Sequence, residues 1–227
     1  LLRWGHCAMT MILIMLTLFI GGLAAWMIEA WNRDLPRWIS IASITVAALL
    51  LVPLAGAPVE MLSLAPGISA PWLEYINVPW IPRFGISFVF AIDGLSLLLV
   101  ALTIFLGFVA VLSSWSETEK RPGFFQFNLM WTLAGVVGVF VSLGLFLFFF
   151  FWEVMLIPMY LLIAIWGHER KSYAAMKFFL FTQVSGLIML VAILALVLVH
   201  FGQSGVLTFN YFDLLGHNVD PDLAFWM

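Results

Sequence analysis

The chain of 227 residues is 64% hydrophobic and only 9% charged, against about 45–50% apolar and about 25% charged residues in soluble domains. With a mean hydropathy of +1.13 it belongs in a bilayer. A formal net charge of −3, with basic residues only in isolated pairs such as Lys120-Arg121 and Arg170-Lys171, excludes nucleic acid as a partner.

Crossing a hydrocarbon core of about 30 Å takes about 20 apolar residues. Six segments meet that length and predict an all-α polytopic membrane protein: 9–28, 38–54, 92–115, 124–143, 145–165 and 174–200, the second being short. Arg3 and His6 precede the first run as in a secretory signal, but the run exceeds the about 7–15 residues of such a signal, so it is read as a spanning helix. Cys7, beside it, is read as an inert thiol that offers no disulfide.

The connection 55–85 has Pro53, Pro58, Pro66, Pro71, Pro79 and Pro82 in and around it, which rules out a regular helix there. Residues 84–92 then alternate enough for a short extended piece. Asp93, in Ile92-Asp93-Gly94-Leu95-Ser96, stands where a helix N-cap belongs; its other reading is a proton carrier. Gly144 marks a very tight turn between the fourth and fifth segments.

Arg33 and Arg37, Lys120 and Arg121, and Arg170 and Lys171 fall on alternate connections, hence on one side of the membrane, while the other side holds only Arg3 and Arg83. The positive-inside rule makes the richer side cytoplasmic and puts the N-terminus outside. Asp213, Asp220 and Asp222 agree weakly, because acidic residues contribute little to topology. The chain begins at Leu1 and stops at Met227, just as Leu223-Ala224-Phe225-Trp226-Met227 opens a further apolar stretch, so it is read as a piece of something longer.

The chemistry centres on Glu153. It lies near the middle of the fifth segment, in Phe148-Phe149-Phe150-Phe151-Trp152-Glu153-Val154-Met155-Leu156-Ile157-Pro158-Met159-Tyr160, with no polar partner along the chain. A charge at that depth costs roughly 2.5–3.5 kcal/mol, whereas an intramembrane polar bond returns about 0.6–2 kcal/mol, so structural glue barely offsets the cost. Pro158 lacks an N–H and leaves the carbonyl of Val154 without its helical donor, where water can bind. In general, desolvation favours a neutral carboxyl and an approaching cation favours the ionised one, and the two together make a switch.

Lys177, the lysine inside a predicted span, is read either as a proton carrier or as a snorkelling side chain. The polar cluster Thr182, Gln183, Ser185 and Gly186 suits helix packing or a water path. His168 and His200, at predicted helix ends, are either proton relays or solvated anchors. Trp131, Trp152 and Tyr160 are read as packing or interface aromatics. With no Gly-rich phosphate loop, paired cysteines or haem-like histidine spacing, no redox cofactor is expected in this chain.

Four blocks then carry a resemblance: Pro79-Trp80-Ile81-Pro82-Arg83-Phe84-Gly85-Ile86; Ile92-Asp93-Gly94-Leu95-Ser96-Leu97; the Phe149-to-Tyr160 stretch with Glu153; and Lys177-Phe178-Phe179-Leu180-Phe181-Thr182-Gln183. Together they resemble the subunit M family of bacterial NADH–quinone oxidoreductase, respiratory complex I, whose members are antiporter-like membrane chains. The resemblance implies a longer bundle of inverted repeats. It also implies a division into 1–115, three transmembrane helices with a Pro-rich outer loop at 55–91, and 116–227, the start of the first antiporter-like repeat. It matches Glu153 to the family's essential fifth-helix glutamate, which pairs with a lysine on a broken seventh helix beyond this sequence, and Lys177 to a further lysine of the sixth.

The implied function is proton translocation in the bacterial inner membrane. It would be driven by quinone reduction in other subunits, which would hold NADH, FMN, iron–sulfur clusters and quinone. The implied partners are the bilayer and the other membrane subunits of complex I, neighbouring antiporter-like chains included. Two alternatives stand beside it: a subunit of a sodium/proton antiporter or membrane-bound hydrogenase, and a non-transporting structural or assembly membrane protein.

Overall fold

A computed structural model describes residues 9–56, 60–65, 68–115, 118 and 120–215. Arg3, His6, Cys7, Pro58, Pro66 and the tail 216–227, with Asp220 and Asp222, lie outside the described residues. Six helices are long and apolar enough to cross a membrane: α1 (Thr10–Ile28), α2 (Leu35–Ala55), α3 (Gly94–Ser113), α4 (Pro122–Val141), α5 (Leu145–Trp166) and α6 (Lys171–Ser204). A short α7 (Tyr211–Leu214) follows.

Boundaries shift where the sequence reading used apolar runs alone. The first turn of α2 takes Pro36, whose missing N–H costs nothing at a helix start, so the helix begins before the expected 38, and it runs on through Pro53 to Ala55. α6 has 34 residues, about 51 Å at 1.5 Å each. Both its ends therefore extend past the expected 174–200, and Lys177 stands six residues inside the start.

The connection after α2 is not irregular. It forms two antiparallel pairs, β1 (Glu60–Ala65) with β2 (Ile68–Trp72) and β3 (Glu74–Ile81) with β4 (Ile86–Ile92). Prolines are tolerated because in a two-stranded sheet every strand is an edge: Pro71 lies in β2, and Pro79 lies at the bulge of β3. Ile76 pairs with Phe90 and Val78 with Phe88. From this apolar face Trp80 stacks on Phe88 at 4.8 Å, and Phe90 reaches Phe151 of α5 at 6.2 Å between ring centroids.

The hairpin is also stitched to the bundle through backbone. Leu143 N–H donates to Val89 at 2.9 Å, Leu145 N–H to Phe209 at 2.9 Å, and Phe209 N–H to Gly85 at 3.3 Å. These bonds join β4, the α4–α5 turn at Gly144 and the strand-like 207–210 segment into one cap over this end of the helices.

Below it, the main core comes from α1 to α4, with Met11, Ile14, Leu18, Ile44, Leu54, Val100, Met130 and Val137 buried. The helices approach closely at glycines. A Cβ at Gly22 would lie 2.9 Å from Cβ of Met130, and one at Gly138 would overlap the ring of Phe151. At the opposite end, Glu29 follows the last turn of α1, and its Oε2 accepts from Phe124 N–H at 3.2 Å. A carboxylate on a neighbouring helix thus satisfies an orphan donor at the start of α4.

Asp93 is the N-cap of α3: its Oδ1 accepts from Ser96 N–H at 2.7 Å. Asp93→Ala is expected to destabilise this helix by about 1 kcal/mol, a loss that thermal melting reads.

Candidate functional site

The site lies where α5 meets α6. α5 is apolar over all 22 residues except Glu153, whose carboxyl is turned toward α6. Gln183 Nε2 of α6 donates to Glu153 Oε2 at 2.9 Å. One turn further along, Gly186 is buried, and a Cβ there would overlap Glu153 Oε1. The missing side chain is what lets the carboxyl lie against the backbone of α6. Glu153 Oε1 is buried with no hydrogen-bond partner among the described residues, and so is Trp152 Nε1.

Around this pair the helices are fixed by packing. Tyr160 meets Phe179 at 5.5 Å between ring centroids, Phe148 stacks near Trp152 at 6.4 Å, and Met155 fills the space left by Gly135 of α4. Pro158 is buried inside α5, which continues across it to Trp166. At the end of α5, Lys171 Nζ donates to the carbonyl of Ile165 at 2.6 Å, a cation on the negative helix terminus.

Not every sequence candidate belongs here. Lys177 is exposed, its Nζ 5.4 Å from the ring centroid of Tyr173, and it forms no ion pair with Glu153 among the described residues. It lies six residues before Gln183, about 240° around the helix, so it projects from another face of α6. His168 is exposed in the α5–α6 turn. His200 departs from the expected solvated end: it is 6% exposed, because α6 runs on to Ser204 and carries it inside. Asp93 is bound into its cap, far along the chain from Glu153. None of these joins the Glu153–Gln183 pair.

The contact between Gln183 and Glu153 was not expected from the sequence. The cluster Thr182, Gln183, Ser185 and Gly186 was visible, but Thr182 spends its hydroxyl on its own helix, donating to Phe178 and Phe179 carbonyls at 2.7 and 3.1 Å. Gln183 and Gly186 are the members of the cluster that meet Glu153 of α5 among the described residues. A groove of about 660 Å³ lies elsewhere, between α1, α4, α5 and the β3–β4 hairpin. Its walls, among them Phe19, Phe88, Trp131 and Phe151, are apolar and supply no group that holds a proton.

Residues 142–224, which contain all of α5 and α6, match the family model described as NADH:quinone oxidoreductase/Mrp antiporter, TM. The chain is 50% identical over 215 residues to NADH-quinone oxidoreductase subunit M of Pseudomonas aeruginosa, covering 92% of this chain and 42% of that one. It belongs to the subunit M family of NADH–quinone oxidoreductase. The subunit M of Escherichia coli K12 is 53% identical over 204 residues, 87% of this chain and 40% of that one. The chain thus spans about two fifths of the length of these curated relatives. Its fold superimposes on a chain of the respiratory complex I from Thermus thermophilus with bound NADH, with a TM-score of 0.69 and 26% identity over 94% of this chain and 41% of that one.

Proposed function

We propose that this chain is part of a proton-translocating subunit in the membrane arm of an NADH–quinone oxidoreductase, and that Glu153 takes up and releases the proton. The observation that carries this reading is the Glu153–Gln183 pair, a carboxyl in the middle of an apolar membrane helix held by a neutral amide. One such bond contributes about 0.6–2 kcal/mol against a burial cost of roughly 2.5–3.5 kcal/mol. Packing alone does not offset that cost, and a titratable group that works does not need it offset.

Electron transfer from NADH to quinone, in other subunits with FMN and iron–sulfur clusters, would drive the change through the membrane arm. The described residues of this chain contribute acid, amide and helix to that scheme. Lys177 is a secondary candidate that a neighbouring chain or a further helix would have to approach. The division at 115/116 fits the same reading, because the matched span 142–224 lies within its second part. A second reading, a sodium/proton antiporter subunit, has the joint description of the family model in its favour; the 50% and 53% identities to subunit M favour the first.

The experiment is NADH-driven proton pumping by a complex assembled with Glu153→Gln. Loss of pumping supports the reading, and an unchanged proton-to-electron ratio overturns it.

The orientation proposed is the bacterial inner membrane with the α5–α6 turn cytoplasmic, since that turn carries Arg170 and Lys171. A cysteine at Ser172 should react with a membrane-impermeant maleimide from the cytoplasmic side, and one at Ser204, at the far end of α6, only from the other side. The reverse pattern would invert the topology.

A further inference from the structure

We propose that Trp152, Glu153 and Gly186 form a water site, and that Glu153 exchanges its proton there through Oε1 while Gln183 holds Oε2; this rests on Glu153 being the proton-carrying group. The amide of Gln183 donates to Oε2 at 2.9 Å, so Oε2 is the accepting oxygen. In the acid form the proton then resides on Oε1. That atom is buried against Gly186 and has no partner among the described residues.

The second unsatisfied atom belongs to a side chain beside the same glycine. Trp152 Nε1 is buried without a partner among the described residues, and Cδ1, bonded to it, lies 3.8 Å from where a Cβ of residue 186 would stand. A donor and an acceptor are thus orphaned beside one glycine. Each buried group left unpaired costs about 1–3 kcal/mol, and one water accepting from the indole N–H and donating to Oε1 satisfies both. Helix packing alone accounts for the glycine, but not for two orphaned atoms on the side chains beside it.

The chemistry balances as a single proton transfer. A hydronium at this position gives one proton to the Oε1 carboxylate and remains as neutral water; in reverse, the Oε1–H acid protonates the water and the charge leaves. The indole N–H only donates and carries no proton, so Trp152 is a positioning residue. Gln183 is another, because it decides which oxygen titrates. Gly186 keeps the space open, and a methyl there would displace the carboxyl from Gln183.

The test uses pH-induced infrared difference spectra of the whole complex in lipid, with the Glu153 acid band identified by its loss in Glu153→Gln. In the wild-type complex, heavy-oxygen water should shift a water band that disappears together with the acid band in Glu153→Gln. Trp152→Phe keeps the ring and removes the N–H. It should move the acid carbonyl band and slow pumping about tenfold, the factor of one hydrogen bond, with assembly intact on a native gel. Gly186→Ala should move the same band and lower pumping further. The absence of a Glu153-linked water band in the wild type overturns the proposal, whatever the variants do, and so does an unshifted acid band in assembled Trp152→Phe. If Glu153→Gln itself pumps normally, the parent reading fails instead, and the two failures are distinguishable.

Discussion

Replacing Glu153 by Gln is expected to abolish NADH-driven proton pumping, or to reduce it by about a hundredfold or more, the low end of the about 10²–10⁴-fold contribution of a positioned proton-transfer group. Gln keeps the length and can still bond Gln183 across the 2.9 Å contact, but it has no proton to exchange. Glu153→Asp keeps the acid and withdraws it by one methylene, lengthening the bond to Gln183, so it should retain part of the activity. Function should thus follow titration rather than shape. Lys177→Ala should have a smaller effect, since the ammonium sits over the Tyr173 ring on another face of α6. Native gels must show equal assembly, because a lost complex mimics a lost proton path. An assembled Glu153→Gln complex that pumps at the wild-type proton-to-electron ratio takes this carboxyl off the path.

Gly85→Ala is expected to be the most damaging change outside the site. Gly85 has φ +65, a left-handed conformation that costs an L-residue about 1–2 kcal/mol. Gly205, at φ +71, would bear the same strain, and nothing lies within 4 Å of the Cβ it would gain. At Gly85 the added Cβ would overlap the backbone carbonyl of Leu207, which has no rotamer to give way. The 207–210 segment would have to move, breaking Phe209 N–H to Gly85 and straining Leu145 N–H to Phe209, the bonds that tie the hairpin to α5 and α6. Gly205→Ala should therefore lower stability by about 1 kcal/mol and still assemble, while Gly85→Ala should fail to accumulate in the complex. Melting midpoints and native-gel yields compare the pair, and equal behaviour would mean that this cap does not hold the bundle together.

The apolar runs were enough to count the spanning helices, because the bilayer sets a length that the sequence must meet with few charges. Glu153 was legible for the same reason: in an apolar run a single carboxyl has no local explanation. The cap at Asp93 was legible because its partner, Ser96 N–H, lies three residues away.

Interactions between distant residues were not legible. The extended piece expected over 84–92 is β4, but its partner β3 and the β1–β2 pair were hidden among prolines that read as breakers, since only the pairing reveals which N–H groups a strand can spare. His200 is buried because α6 continues four residues past it, a boundary that hydropathy does not mark.

By itself the sequence determined that the described residues hold six candidate membrane spans with an acid in the middle of one of them, because periodicity, length and the cost of a buried charge are properties of single segments. Only the tertiary structure decided what that acid meets. The rotation of α6 turns Gln183 and Gly186 toward α5 and Lys177 away from it, and that rotation is fixed by packing between helices, such as Tyr160 on Phe179, which no single segment encodes.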